Sequence, residues 1–279
     1  MLMRLEAWAA REGARLEMVR IARGGGHARG CRLAPAGPAR GRVLLAHGAG
    51  NDALFPLRAL CRPLLAAGLE VFAFDLDGHG RDSTSVFDPT AAEDALAHAA
   101  AHAEAGGPPL PLHLVGHSLG GALVLHALSR PGWERVASGV ALSAPVRLAL
   151  GWRTAWGELR GFFGRATWAQ REHYGAWGVV PAVGPLKRGA FPFRVAGGGG
   201  YVAAVQALLA RLRLDEAAEH IRAPVLLVYS RGDRLVPAEQ GERLARRIPR
   251  AELLMLANTS HWGVPFDGRA VARVAEWLR

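Results

Sequence analysis

Strand-length apolar runs alternate with helix-length segments along most of this chain, and this alternation constrains the fold more than any other feature. The runs are RVLLAH at 42–47, LEVFAFD at 69–75, LPLHLVG at 110–116, VASGVALSA at 136–144, PVLLVYS at 224–230 and AELLMLA at 251–257. Helical patterns near 53–67, 91–104, 119–130, 238–247 and 268–278 separate or follow them. Strands that are apolar on both faces need cover on both faces, which is the signature of a parallel sheet sandwiched by helices. Right-handed crossovers then bring the C-terminal end of every strand to one edge, where ligands of such sheets bind. Residues 16–33 are expected to add an antiparallel hairpin.

The rhythm stops between about 146 and 221. This segment holds four of the eight tryptophans, Trp152, Trp156, Trp168 and Trp177, with Phe162, Phe163, Tyr174, Phe191, Phe193, Tyr201 and a GGGG run at 197–200. It reads as a mainly helical lid inserted over the strand ends. Some of its aromatics would form the lid's own core and others would face the cleft. The core would then comprise 1–145 and 222–279. The glycine run suits a hinge or a flexible loop equally.

Charge and cysteine usage narrow the partners. The net charge is +10, which raises nucleic acid and anionic membranes as partners. Yet Lys187 is the one lysine among 34 basic residues, and the arginines are scattered rather than gathered in a block. That pattern argues for codon bias and against nucleic acid, leaving a weak attraction to anionic membrane surfaces as an expectation. With Cys31 and Cys61 alone, and no clustered metal-ligand spacing, neither a disulfide nor a metal site is expected. No apolar run approaches the length of a spanning helix, and the first 20 residues carry charges throughout, so the expected compartment is the cytoplasm.

The stretch LHLVGHSLGGALVLHAL, 112–128, sets Ser118 between Gly116 and Gly120 at the seam of a strand and a helix. A serine on so sharp a turn takes a strained positive φ, and a Cβ two positions to either side would collide with the crossing chain. This is the nucleophile elbow, which holds a hydroxyl clear of the backbone at a helix N-terminus.

From these residues the chain resembles the α/β-hydrolase superfamily, and within it the serine hydrolases that include monoacylglycerol lipases, lysophospholipases and esterases. The motifs carrying the likeness are LLAHGAGND (44–52), FAFDLDGHGRDS (72–83), LVGHSLGGAL (114–123), VYSRGDRLVP (228–237) and NTSHWG (258–263), in the family's order. The resemblance implies an α/β-hydrolase fold and a catalytic triad. Ser118 would be the nucleophile, His261 the base and Asp233 its orienting acid, in the superfamily's chain order. The oxyanion would be held by the N–H groups of Leu119 and, by resemblance, Ala49. His47, His79 and His117 lie within motifs where the family uses histidine structurally. His98, His102 and His126 fall in helices. The family usually carries Arg where this chain has Asp77; Asp77 and Asp82 are read as loop-fixing residues, while Asp75 sits at a strand end, where some hydrolases place catalytic groups, a role for which its place before Ser118 is only a weak argument.

The expected function is hydrolysis of a carboxylic ester with an apolar acyl group, through an acyl-enzyme and without cofactor or metal. Acyltransferase, thioesterase and aminopeptidase chemistry could use the same triad. An aminopeptidase would need an acid to hold the free amine, for which the lid offers Glu158 and Glu172.

Overall fold

The computed structural model describes residues 2–23, 26–80, 84, 86–105, 107–149, 154, 156–158 and 194–279. Eight strands form one sheet. They are β1 (Arg15–Arg23), β2 (Gly26–Ala34), β3 (Gly41–Ala46), β4 (Leu69–Phe74), β6 (Leu112–His117), β7 (Val136–Leu142), β9 (Val225–Ser230) and β10 (Ala251–Leu256). Their order across the sheet is β1-β2-β4-β3-β6-β7-β9-β10. The hairpin β1–β2 is antiparallel within itself and to β4, and every other pairing in this sheet is parallel. Two short strands, β5 (Val86–Phe87) and β8 (Arg194–Val195), pair separately.

Burial follows the sequence pattern. Every residue of β3, β4 and β9 is buried, because helices cover both faces. One face packs α2 (Leu54–Ala66) and α8 (Gly268–Trp277), with Leu45, Val43, Val71, Leu226 and Val228 pointing at them. The other packs α3 (Pro89–Ala105), α4 (Leu119–Leu128), α5 (Tyr201–Leu212) and α7 (Ala238–Arg247), with α6 (Leu214–Ala217) beside them. Each fully buried Leu, Val or Phe contributes about 1.5–3 kcal/mol. In α4 all residues but His126 are buried, and the rest of its sequence is apolar or glycine, as enclosure on nearly every side requires. In α3 the buried Ala92, Ala95, Leu96, Ala99, Ala100 and Ala103 recur at helical spacing and form one stripe. At the N-terminal ends of the strands, Glu70 of β4 accepts hydrogen bonds from Arg42 Nε (2.5 Å) and Arg32 Nε (2.8 Å), tying three adjacent strands together.

The chain leaves β3 toward β4 on one side and later enters β6 on the other. The C-terminal ends of β3 and β6 are therefore a topological switch point, and the loops after them diverge to leave a crevice. The elbow and the HGAG loop both lie there. Most of the insertion expected over 146–221 falls outside the described residues. Its last part is described: α5, α6 and the 3-10 turn Ala218–His220 contribute Val205, Leu208, Leu209, Leu212, Leu214 and Ala218 to the core shared with α3 and α4. Of the described residues, no helix is long and apolar enough to cross a membrane.

The space at the elbow accounts for both flanking glycines. A Cβ at Gly116 would stand 2.2 Å from the carbonyl oxygen of Gly120, and one at Gly120 would stand 2.4 Å from that of Ala46. Both obstacles are backbone and cannot swing aside. Gly116→Ala is expected to lower stability by more than about 3 kcal/mol, since overpacking usually costs about 1–3 kcal/mol where side chains can yield. In a thermal melt this corresponds to a Tm loss of about 6–12 °C or more.

Candidate active site

Three side chains from distant parts of the chain meet above the switch point. Ser118 follows β6 directly and serves as the N-cap of α4, at φ 54° and ψ −120°. Its N–H donates to Leu142 O at 2.8 Å, which fastens the elbow to β7. The strained backbone leaves the side chain projecting from the turn. Asp233 lies in the turn after β9, and His261 opens the 3-10 turn His261–Phe266 after β10. Ser118 Oγ is 2.9 Å from His261 Nε2, and His261 Nδ1 is 2.8 Å from Asp233 Oδ2. All three are buried, His261 at 2% exposure and Ser118 at 6%.

The loops carrying the acid and the imidazole are held by polar groups at short range. Asp233 Oδ1 accepts the N–H groups of Leu235 (3.0 Å) and Val236 (2.8 Å), so its two oxygens are divided between its own turn and the imidazole. Ser230, the last residue of β9, accepts from Gly232 N (3.1 Å) and Thr259 N (2.8 Å), bridging the two loops. Thr259 Oγ1 donates to Asp267, whose other oxygen caps α8 through Arg269 N and Ala270 N. The ring of His117 lies 5.0 Å from that of His261, and its Nε2–H donates to His261 O at 3.1 Å. Burial holds the His117 pKa well below the ordinary imidazole value, so the ring is neutral beside its neighbour.

Burial alone would also depress His261. The Asp233 carboxylate, by charge and hydrogen bond, and then Glu158, by charge, outweigh it, and the His261 pKa is raised above its ordinary value. A neutral imidazole at rest that binds a proton readily is what a general base at a serine hydroxyl requires.

The HGAG loop is braced from several sides. His47 donates from Nδ1 to Gly48 O (2.7 Å) and accepts the Leu76 N–H at Nε2 (2.9 Å). That pattern needs the neutral ring, and burial lowers its pKa to about 4. Asn51 N–H donates to Gly48 O at 3.2 Å. Gly50 N–H donates to the hydroxyl of Tyr201, 3.0 Å away. The Gly50 and Asn51 amides are so committed, and Ala49 just before them is half-buried. A Cβ at Gly48 would stand 3.0 Å from Ser118 Cβ, so the loop passes close beside the elbow. Leu119 N–H, the first of α4, has no intrahelical acceptor.

Tyr201 carries a connection that sequence reasoning missed. It begins α5, directly after the glycine run, and its hydroxyl also lies 2.5 Å from His79 Nε2. His79 donates from Nδ1 to Asp77 O (2.6 Å), which leaves Nε2 to accept the tyrosine proton. Burial drives the His79 pKa down to about 3, so the chain of donors has one direction throughout. A tyrosine that follows an insertion gives no sequence signal of its partner, because both partners lie more than 100 residues earlier in the chain. Asp77 has a local explanation. It pairs with Arg23 of β1 and accepts Asp88 N–H at 2.5 Å, docking the hairpin against the loop after β4.

Of the remaining expectations, Asp75 accepts the Ala53 N–H at 2.8 Å, ahead of α2. His126 meets Glu93 at 3.2 Å, and His102 lies against Phe72. Asp82, Trp152, Trp168, Trp177, Phe162, Phe163, Tyr174, Phe191, Phe193 and Glu172 lie outside the described residues. Trp156 is 62% exposed. Glu158 is wholly buried beside His261 and Asp233, with one oxygen accepting His261 N–H and the other Arg234 N–H. Among the described residues no group of three or more metal-ligating side chains is found.

Residues 43–277 match the alpha/beta hydrolase family, and the chain belongs to that family. It is an α/β-fold hydrolase. No curated protein sequence matches it. Its fold is similar to that of an esterase from a Rhodococcus species, with a TM-score of 0.69 at 20% identity over 95% of this chain and 98% of that one. It is similar to a soluble variant of monoglyceride lipase from Saccharomyces cerevisiae, with a TM-score of 0.66 at 18% identity over 94% of each chain. A bromoperoxidase from Bacillus anthracis gives a TM-score of 0.66 at 17% identity, over 95% of this chain and 99% of that one. At these identities the likeness is one of fold.

Tyr201→Phe is expected to leave the ring packed against Phe87 and His79 while stranding the Gly50 N–H. An unpaired buried donor costs about 1–3 kcal/mol. The melting temperature should fall accordingly, and the rate of fluorophosphonate labelling should fall with it.

Proposed function

We propose that this protein is a serine hydrolase that cleaves carboxylic esters with an apolar acyl group through an acyl-enzyme. The observation that carries the reading is the line from Ser118 Oγ through His261 to Asp233, at 2.9 and 2.8 Å, beside the HGAG loop. Ser118 Oγ attacks the ester carbonyl carbon as its proton passes to His261 Nε2. The carbonyl oxygen becomes an oxyanion, held by the N–H groups of Ala49 and Leu119. Collapse breaks the bond to the alcohol oxygen, which leaves with the proton from His261. A water then gives a proton to His261 and attacks the acyl carbon, and His261 returns that proton to Ser118 as the acid departs. Asp233 keeps the Nδ1–H tautomer and stabilises the imidazolium in both halves.

The insertion expected over 146–221 carries the many aromatics that an apolar acyl site calls for. Both oxygens of Glu158 accept backbone N–H groups, which argues against its use as the amine holder of an aminopeptidase. Cys31 and Cys61 are both buried, and thiols so placed accord with a reducing cytoplasm. The net charge of +10 would give a weak, salt-sensitive attraction to anionic membrane surfaces.

The decisive test is a chain-length series of nitrophenyl and glycerol esters with wild-type protein and Ser118→Ala. Turnover should favour an apolar acyl chain and fall at least about 10³-fold in the variant. Full turnover by Ser118→Ala would end the reading. The pH profile provides a separate check. Only the neutral imidazole accepts the serine proton, and its pKa is raised from 6.5 by Asp233 and Glu158 against the opposing effect of burial. The kcat/KM should therefore rise with pH through an inflection above 6.5 and be lost below it.

A further inference from the structure

Glu158 is a buried carboxylate at the candidate site that the proposed reaction leaves without a task. It is 0% exposed. Oε2 accepts His261 N–H at 2.6 Å, and Oε1 accepts Arg234 N–H, the amide next to Asp233. One side chain from the segment after β7 thus grips the backbone at the base and beside the acid. Asp233 takes the next two amides, so the N–H groups of residues 234, 235 and 236 all serve these two carboxylates. Among the described residues, the titratable and charged groups around Glu158 are Asp233, Arg234 and His261, with His117 behind the imidazole. The Arg234 guanidinium also lies against Gly157, where a Cβ would stand 2.5 Å from it.

A packing residue at this position could be apolar. A carboxylate here carries the cost of desolvation and of repulsion by Asp233, which together push its pKa up while the two amide bonds oppose them. Such a group is explained by what it does to its neighbours. We propose that Glu158 is a positioning residue of the triad, clamping the His261 and Asp233 loops and supplying a second negative charge against which the His261 imidazolium forms. The inference rests on the serine-hydrolase reading above and adds a link from the lid segment to the base. Its effect reaches the substrate through His261.

The test uses the full-length protein and Glu158→Gln, which keeps the shape, removes the charge and turns one amide acceptor into a donor. The kcat should fall about 10- to 100-fold, with KM changed less than about threefold. The acid limb of kcat/KM should move to lower pH, because one anion favouring the imidazolium has gone. NMR titration of the histidine rings, with His261→Ala to assign the signal, should show the same downward displacement without any substrate. Glu158→Asp keeps the charge and loses reach, so its acid limb should stay near that of the wild type while kcat falls; it serves also if the glutamine variant does not fold. A wild-type kcat and acid limb in Glu158→Gln would overturn the proposal. A lower melting temperature with an unshifted limb and an unshifted His261 titration would overturn it too, leaving a structural prop. Ser118→Ala separates the two ideas. If that variant is inactive and Glu158→Gln behaves as wild type, this inference alone falls. If Ser118→Ala stays fully active, the hydrolase reading falls, and the NMR titration still decides the charge on His261.

Discussion

Two backbone contacts at the elbow govern the rest of the site. The chain turns from β6 into α4 so tightly that Gly116 faces the Gly120 carbonyl oxygen and Gly120 faces that of Ala46, each with no room for a Cβ. The first contact lets the strand reverse into the helix. The second draws the helix N-terminus against the end of β3, where the HGAG loop begins. One close approach thus holds the Ser118 hydroxyl out and brings a second loop of amide groups beside it. The strained φ of 54° at Ser118 persists because β7, β3 and an enclosed α4 fix the turn from three sides.

Around that turn, neutral buried histidines act as fixed donor–acceptor bridges. His47 joins Gly48 to Leu76, His79 joins Asp77 to Tyr201, and His117 supports the His261 carbonyl. Each has its pKa lowered by burial, so none competes with His261 for a proton. His261 differs because carboxylates stand against it. The same residue type has its pKa lowered or raised according to whether burial or neighbouring anions prevail. The loops after β3, β9 and β10 are tied to one another and to the elbow by these bridges together with Ser230 and Tyr201.

The alternation of apolar runs and helices and the glycine–serine–glycine spacing made the parallel sheet and its sharp strand-to-helix turn legible in advance, and the motif order singled out Ser118, Asp233 and His261, which the fold brings within hydrogen-bond distance of one another. These are local or ordered features. A strand's burial shows in its own composition, and a glycine's necessity shows in the turn it enters. Tyr201, Ser230 and Glu158 were not legible in their roles. Tyr201 read as one lid aromatic among many, Ser230 as the end of a strand, and Glu158 as a lid acid that might hold an amine. Each acts by bonding a backbone amide, and any residue but proline has one, so no side-chain pattern marks the partner.

By itself, then, the sequence determined the class of fold, the order of its strands and helices along the chain and the residue types able to perform acyl transfer, because hydrophobic period and glycine geometry are written locally. Only the tertiary structure decided that Tyr201 braces the HGAG loop, and that Glu158 grips the backbone at both His261 and Arg234. Those are matters of distance between segments 76 to 151 residues apart, which no local pattern in the sequence records.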